Sequence, residues 1–121
     1  MSSITMKSIL EAAADGRTSE ALAGTNALLG AHPDCPYLLV WQAILIQVQG
    51  PDSTQTLDDA EASLIRAHTI DPNYLPALEE LAHFYDAVKS NREKAREFAS
   101  RYIQRSQKIV NNLRTIIDTP A

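Results

Sequence analysis

The stretch PYLLVWQAILIQVQGPDSTQTLDDAEASLIRAHTIDP, residues 36–72, carries the pattern that decides the fold. Its first part, residues 37–48, is apolar on nearly every side, which predicts a buried helix. Gly50 and Pro51 interrupt this pattern, and apolar residues return with a helical period over residues 57–70. The stretch therefore predicts two helices joined by a turn.

The start and the end of the second helix have their own signals. Thr54 or Thr56 can cap its first turn, because a hydroxyl oxygen accepts a hydrogen bond from a free backbone N–H group. Pro72 cannot continue a helix and marks its end. Pro33 stands 39 residues earlier in a similar setting, which indicates that the same unit occurs more than once.

Small residues keep the same interval as the prolines. Ala21 and Ala60 are 39 residues apart, as are Ala43 and Ala82, and Ala95 follows Ala60 by 35 residues. Two helices that cross closely leave room only for a small side chain at the crossing point. The shared interval therefore predicts a repeated helix pair.

These repeats resemble the tetratricopeptide family, whose repeat of about 34 residues is a helix pair. In the second repeat the matching positions are Leu39, Ala43, Ile46, Ala60, Leu64, Ala67 and Pro72. In the third they are Leu78, Leu81, Ala82, Tyr85, Ala95, Ala99 and Tyr102, and in the first they are Gly16, Ala21, Leu28 and Pro33. About five extra residues in 49–57 and about one near 89–91 are expected in loops between the helices of a pair.

The resemblance implies an all-α fold, a right-handed α-solenoid of three antiparallel helix pairs with a long last helix. We expect one domain over residues 1–121, with repeats at about 3–34, 35–72 and 73–105. A chain of this length is enough for one continuous core and too short for two large ones.

The last helix is predicted to continue past the third pair. No proline or glycine interrupts the helical pattern from Arg92 to about Ile117, so residues 106–118 form an extension. We expect this extension to cap the end of the solenoid, either folded back or extended. The alternative is a homodimer seam formed by its apolar residues Ile109, Val110, Leu113, Ile116 and Ile117.

The resemblance also implies a binding surface, because ligands of that family usually lie along a concave groove lined by the first helix of each pair. The matching positions are Tyr37, Val40, Trp41, Ile44 and Gln47 in the second repeat and Glu79, Glu80, His83 and Asp86 in the third. Such a surface is apolar at one end and acidic at the other, which suits a peptide with a hydrophobic anchor and a basic flank. Core packing is the alternative role for the apolar positions.

No signature of an enzyme, cofactor site or metal site is present in the sequence. It contains no glycine-rich phosphate loop, no CxxC, no HExxH and no GxSxG. His32 and Cys35 are neighbours, but one cysteine and one histidine make a poor metal site. We therefore expect neither catalysis nor a bound cofactor or metal.

Charge is divided unevenly along the chain. The net charge is −4, from −9 over residues 1–88 and +5 over residues 89–121. The basic residues are spread over several helix faces, and we do not expect nucleic-acid binding. No apolar run is long enough to cross a bilayer and no secretion signal is visible, so we expect a cytoplasmic protein without a membrane contact.

The expected function is a protein–protein interaction scaffold or adaptor that binds a peptide segment of a partner in the groove. The alternative is a self-associating structural module, a homodimer through the groove or the C-terminal helix, with no peptide client.

Overall fold

The protein is described by a computed structural model covering residues 4–120. Within these residues the chain forms helices and no strand, which confirms the all-α prediction. The helices are α1 Met6–Ala14, α2 Thr18–Ala31, α3 Pro36–Gln49, α4 Leu57–Ile70, α5 Leu75–His83 and α6 Arg92–Asp118. A 3₁₀ turn, Gly50–Asp52, follows α3, and a π-helical turn, Phe84–Val88, extends α5.

The chain divides into two compact units, one ending at Pro72 and the other beginning at Asn73. We expected one domain, and the division falls where the third repeat was predicted to begin. In the first unit, α2 packs against α1 and α3, and α3 packs against α4. In the second unit, α5 and its π-helical turn pack against α6.

Threonine caps begin the first and the fourth helix. The Thr56 hydroxyl accepts a hydrogen bond from the Asp59 backbone N–H (3.2 Å), and the Asp59 carboxylate accepts one from the Thr56 N–H (2.8 Å). Thr5 and Ser8 make the same reciprocal arrangement at α1. Of the two candidates for the start of α4, the cap is Thr56. The carboxylate of Asp59 thus has a structural role at a helix start.

Glycine ends two helices of the first unit where the backbone turns left-handed. Gly16 has φ 79° and Gly50 has φ 62°, a region that side-chain-bearing residues rarely adopt. At Gly16 the chain reverses into α2, and the Arg17 N–H donates back to the Ala12 carbonyl oxygen at 2.8 Å. Gly16 thus allows the tight turn between α1 and α2, and Gly50 allows the turn that ends α3.

The helix that begins at Leu75 ends in a π-helical turn, where the Lys89 N–H donates to the Phe84 carbonyl oxygen five residues back (3.1 Å). We expected one extra residue of the third repeat in the loop near residues 89–91, directly after this turn. A π turn takes up one more residue than an α turn. The turn closes at Ser90, which has φ 51°. Residues 50–56 lie between α3 and α4, within the range 49–57 where we expected the extra residues of the second repeat.

The core of the first unit is centred on α3, which confirms that it is a buried helix. Its fully or almost fully buried residues are Leu38, Leu39, Val40, Ala43, Leu45 and Ile46. Three of the small residues placed by the 39-residue interval, Ala21, Ala43 and Ala60, have no exposed surface. Their burial supports the view that they mark close helix crossings.

A chain of side-chain amides connects three helices of the first unit. The Gln42 Nε2 group donates to Asn26 Oδ1 (2.8 Å), and Asn26 Nδ2 donates to Gln55 Oε1 (2.8 Å). At the other end, the hydroxyl of buried Ser63 donates to Gln42 Oε1 (2.5 Å). The amide chain thus fastens the loop between α3 and α4 to α2.

Candidate interaction site

The predicted groove residues fall into two sets. Five lie on α3 in the first unit, and four lie on α5 and its π-helical turn in the second unit. Each set has its own surroundings, and each is a separate candidate surface.

On α3 an apolar face is partly open to solvent. It consists of Tyr37, Trp41, Ile44 and Val48, the α3 stripe. The spacing of four, three and four residues sets these side chains on one side of the helix. Tyr37 is 42% exposed and Val48 65% exposed, whereas Trp41 and Ile44 are half-buried. The stripe thus combines side chains held by packing with side chains available to a partner.

The two aromatic residues of the α3 stripe support each other. The rings of Tyr37 and Trp41 meet edge to face, with centroids 6.5 Å apart and planes at 71°. This geometry is favourable for aromatic pairs and holds both rings in place. Tyrosine and tryptophan, when fixed in this way, are the residue types that most often dominate the energy of protein–protein contacts.

Two of the predicted groove residues on α3 do not belong to the stripe. Val40 is only 4% exposed and is a core residue, so its assignment to the groove was wrong. Gln47 is half-buried, and its side-chain amide donates to the Ala43 carbonyl oxygen of its own helix at 3.1 Å. The sequence prediction missed Val48, although a step of four residues from Ile44 along the helix would have found it.

Gln47 lines a pocket of about 500 Å³ at the C-terminal end of α3. The other lining residues are Ile46, Gly50, Pro51, Ser53, Gln55, Thr56 and Leu57. Most of them come from the loop between α3 and α4. The lining has no charged side chain, so this pocket suits an apolar or neutral group.

In the second unit, α5 carries the predicted acidic surface. Glu79 and His83 are exposed, and Glu80 is half-buried. Burial raises the pKa of the Glu80 carboxyl above its ordinary value, while His83 lowers that pKa and Glu79 raises it by smaller amounts. The acidic surface thus includes one carboxyl that packing partly removes from solvent.

Basic side chains of α6 stand beside the acidic surface. Arg92 Nη1 lies 3.6 Å from Asp86 Oδ1, an exposed ion pair. Together with His83 and Arg96 they line a pocket of about 250 Å³ whose floor is made of small residues, Ala82, Ala95 and Ala99. The acidic end of the predicted groove is thus a surface of mixed charge, because the first turns of α6, which follow only a few residues later in the chain, bring arginines beside it.

The C-terminal extension continues α6 as part of one helix that ends at Asp118. Every residue from 107 to 120 is exposed, so the extension does not fold back onto its own helix pair. We call residues 107–118 the α6 overhang and its five predicted seam residues the α6 stripe. Their exposed fractions are 36% for Ile109, 47% for Val110, 55% for Leu113, 71% for Ile116 and 79% for Ile117.

Residues 4–120 contain no candidate metal cluster and no candidate membrane-spanning helix. No group of three His, Cys, Asp or Glu side chains there is placed to hold a metal ion. Cys35 is a free, half-buried thiol. None of the helices in this range is both long enough and apolar enough to span a membrane.

Comparison with known proteins gives no relative from which a site could be transferred. No protein-family model, no curated protein and no solved structure matches this chain.

Proposed function

We propose that the protein is an interaction scaffold, an adaptor that binds a segment of another protein on the α3 stripe. The observation that carries the proposal is the exposed Tyr37 ring, held edge to face against Trp41 on the helix that forms the core of the first unit. A rigid aromatic anchor loses little conformational entropy when a partner covers it. The partner that fits is a peptide or helix with an apolar anchor.

The finer architecture belongs to the same proposal. We infer that the helix pairs stack as a right-handed solenoid of the tetratricopeptide type. The pairing of α1 with α2, α3 with α4 and α5 with α6 supports this inference, as do the buried alanines at the repeat interval. We further propose a cytoplasmic location and a non-enzymatic role, for which the sequence arguments above are the support.

The first test compares two substitutions of equally exposed residues. Tyr37 and Ile65 are both 42% exposed, but Ile65 lies on α4 and outside the stripe. Immobilised wild-type protein, Tyr37→Ala and Ile65→Ala are each incubated with cell lysate, and the retained proteins are quantified by mass spectrometry. We expect Tyr37→Ala to retain at most ~10% of the amount of a partner that Ile65→Ala retains. Such a loss corresponds to a binding free energy that is weaker by about 1.4 kcal/mol, as is typical of an interface hot spot.

Trp41 provides an independent readout, since it is the only tryptophan of the chain. Titration of wild-type protein with the partner so identified should shift Trp41 fluorescence emission to shorter wavelength, because the partner excludes water from the stripe. If the three immobilised proteins retain the same partners and the emission does not move, the α3 stripe is not the binding surface.

The alternative function, a self-associating structural module, is favoured by a separate observation. The α6 stripe leaves five aliphatic side chains exposed on one overhanging helix. Such contiguous apolar surface is uncommon on a monomer and usually marks an interaction site.

A further inference from the structure

The α6 stripe continues a face that already packs against another helix. Ala95 is buried, and with Ala99 it lines the space between α6 and Ala82 of α5. Successive steps of four and three residues lead along the same face of α6 to the α6 stripe. The positions on this line are Ala95, Ala99, Tyr102, Ser106, Ile109, Leu113 and Ile116. One half of the face is covered by α5, and the other half, on the α6 overhang, is exposed.

The periodicity of the face indicates what can cover it. Steps averaging 3.5 residues are those of helices packed side by side. Val110 and Ile117 widen the stripe beyond the narrow seam of a simple coiled coil, which is typical of bundle helices. An α-helix with a matching apolar face is therefore the occupant that fits.

We propose that this occupant is the α6 overhang of a second copy of the chain, in antiparallel orientation. The proposal rests on the self-association alternative and is independent of partner binding at the α3 stripe. Each copy would supply the same apolar face to the other, as a twofold-symmetric dimer requires.

The area of the stripe is consistent with a weak dimer. Covering one aliphatic side chain removes on the order of 100 Å² of apolar surface. At their exposed fractions, the five residues of the α6 stripe thus offer roughly 300 Å² per copy. Two copies would bury roughly 600 Å² of apolar surface and, at an apolar share near 60%, about 1,000 Å² in total. That value is at the lower limit for a specific interface, so the dimer should be reversible and concentration-dependent.

The packing of α5 against α6 determines whether the two α6 helices of the dimer run parallel or antiparallel. In a parallel pair, the N-terminal halves of both α6 helices would lie side by side along the face that α5 already occupies in each copy. In an antiparallel pair only the overhangs meet, and each α6 leads away from the other copy's α5. The overhang of 12 residues, about 18 Å of helix, is long enough for this contact.

The test uses two charge substitutions on one helix. Leu113 lies in the middle of the α6 stripe, and Asn111 lies on the opposite face of α6 and is also exposed. The molar mass of wild-type protein, Leu113→Glu and Asn111→Glu is measured by sedimentation and light scattering up to about 200 µM, a range that covers micromolar dimers. Circular dichroism confirms that each variant retains its helix content.

We expect the mass of wild-type protein to rise from 13.3 kDa towards twice that value with concentration. Leu113→Glu should raise the dimer Kd at least ~tenfold, while Asn111→Glu should leave it unchanged. A wild-type chain that stays monomeric, or a dimer that both variants preserve, overturns the proposal.

The orientation is tested with Ile117→Cys in a Cys35→Ser background. In an antiparallel pair centred between residues 111 and 113, the two copies of position 117 are separated by about 12–18 Å along the axis, too far for a disulfide. The dimer should therefore form without a disulfide under mild oxidation. Rapid disulfide formation would show a parallel pair and overturn the antiparallel arrangement. Partner binding by Leu113→Glu is measured separately, so failure of either proposal leaves the other intact.

Discussion

At the scale of single residues, the environment of a side chain decides whether its sequence-based role holds. Val40 and Tyr37 are three residues apart on α3, yet one is a core residue and the other is exposed. The apolar character of both could be read from the sequence, but a helix that is apolar on nearly all sides does not reveal which side remains open. The packing of α2 and α4 against α3 determines that Val40 is buried and Tyr37 is exposed.

Glu80 gives a prediction at this scale. Because burial raises its pKa, the folded state holds the proton more tightly than the unfolded state. Stability from this group is therefore greatest at acid pH and falls as the pH rises from the unfolded pKa, near 4.3, through the folded pKa. Glu80→Gln should slightly increase the free energy of unfolding at pH 7, because this partly exposed group is screened by solvent, and should have little effect near pH 4.

Denaturant unfolding at pH 4 and pH 7 measures this difference. Glu11→Gln, which removes an exposed carboxylate on α1, serves as the control. A Glu80→Gln variant that is less stable than wild-type protein at pH 7 would show that the carboxylate is stabilising in its site.

At the scale of single helices, local chemistry is the main determinant, and the sequence was most informative here. The caps, the glycine turns and the proline stops set the helix bounds through backbone hydrogen bonds within a few residues. The π-helical turn at Phe84–Val88 was the exception. Its cost is offset by tertiary packing, since Phe84 and Tyr85 are both buried there, and local patterns do not report such packing.

The α4 cap gives a prediction at this scale. Thr56→Ala removes the hydroxyl that accepts the Asp59 N–H and should lower the free energy of unfolding by about 1 kcal/mol. Thr54→Ala, two residues earlier in the loop, should be almost neutral because Thr54 is exposed and does not occupy the cap position. Thermal and denaturant unfolding of the two variants compare them directly, and equal losses would contradict the assignment of the cap.

At the scale of the whole molecule, contacts between residues distant in sequence provide what the repeat pattern does not. Gln42 is such a residue, because its amide joins Asn26 on α2 to Ser63 on α4. Nothing in the helical pattern of α3 marks it as more than a polar position. The amide chain also includes Gln55, so it holds in place the loop between α3 and α4, which lines the pocket at the end of α3.

The amide chain gives a prediction at this scale. Gln42→Ala should lower the free energy of unfolding by about 0.5–1.5 kcal/mol, because Asn26 and Ser63 each lose a hydrogen bond to the Gln42 amide. The Ser63 hydroxyl can still donate to the Asp59 carbonyl oxygen (3.0 Å), which limits the loss. Amide hydrogen exchange should also quicken in residues 50–56, since the loop loses its link to α2. Gln104→Ala, at an exposed position on α6, is the matched control. A loss no larger than that of the control would show that water replaces these hydrogen bonds at no cost.

The sequence by itself determined the helical class, the positions of most helix ends and the small residues at the crossings. These features depend on backbone hydrogen bonding and on apolar periodicity, both of which act over a few residues. It also determined that the end of α6 carries an apolar stripe.

Only the tertiary structure decided which apolar residues remain exposed, and it brought Arg66 beside Asp34, 32 residues away in the sequence. It also showed that the α6 stripe is left uncovered within the part of the chain that is described. Exposure and charge pairing depend on which distant side chains pack nearby, and that information is not contained in any local stretch of sequence.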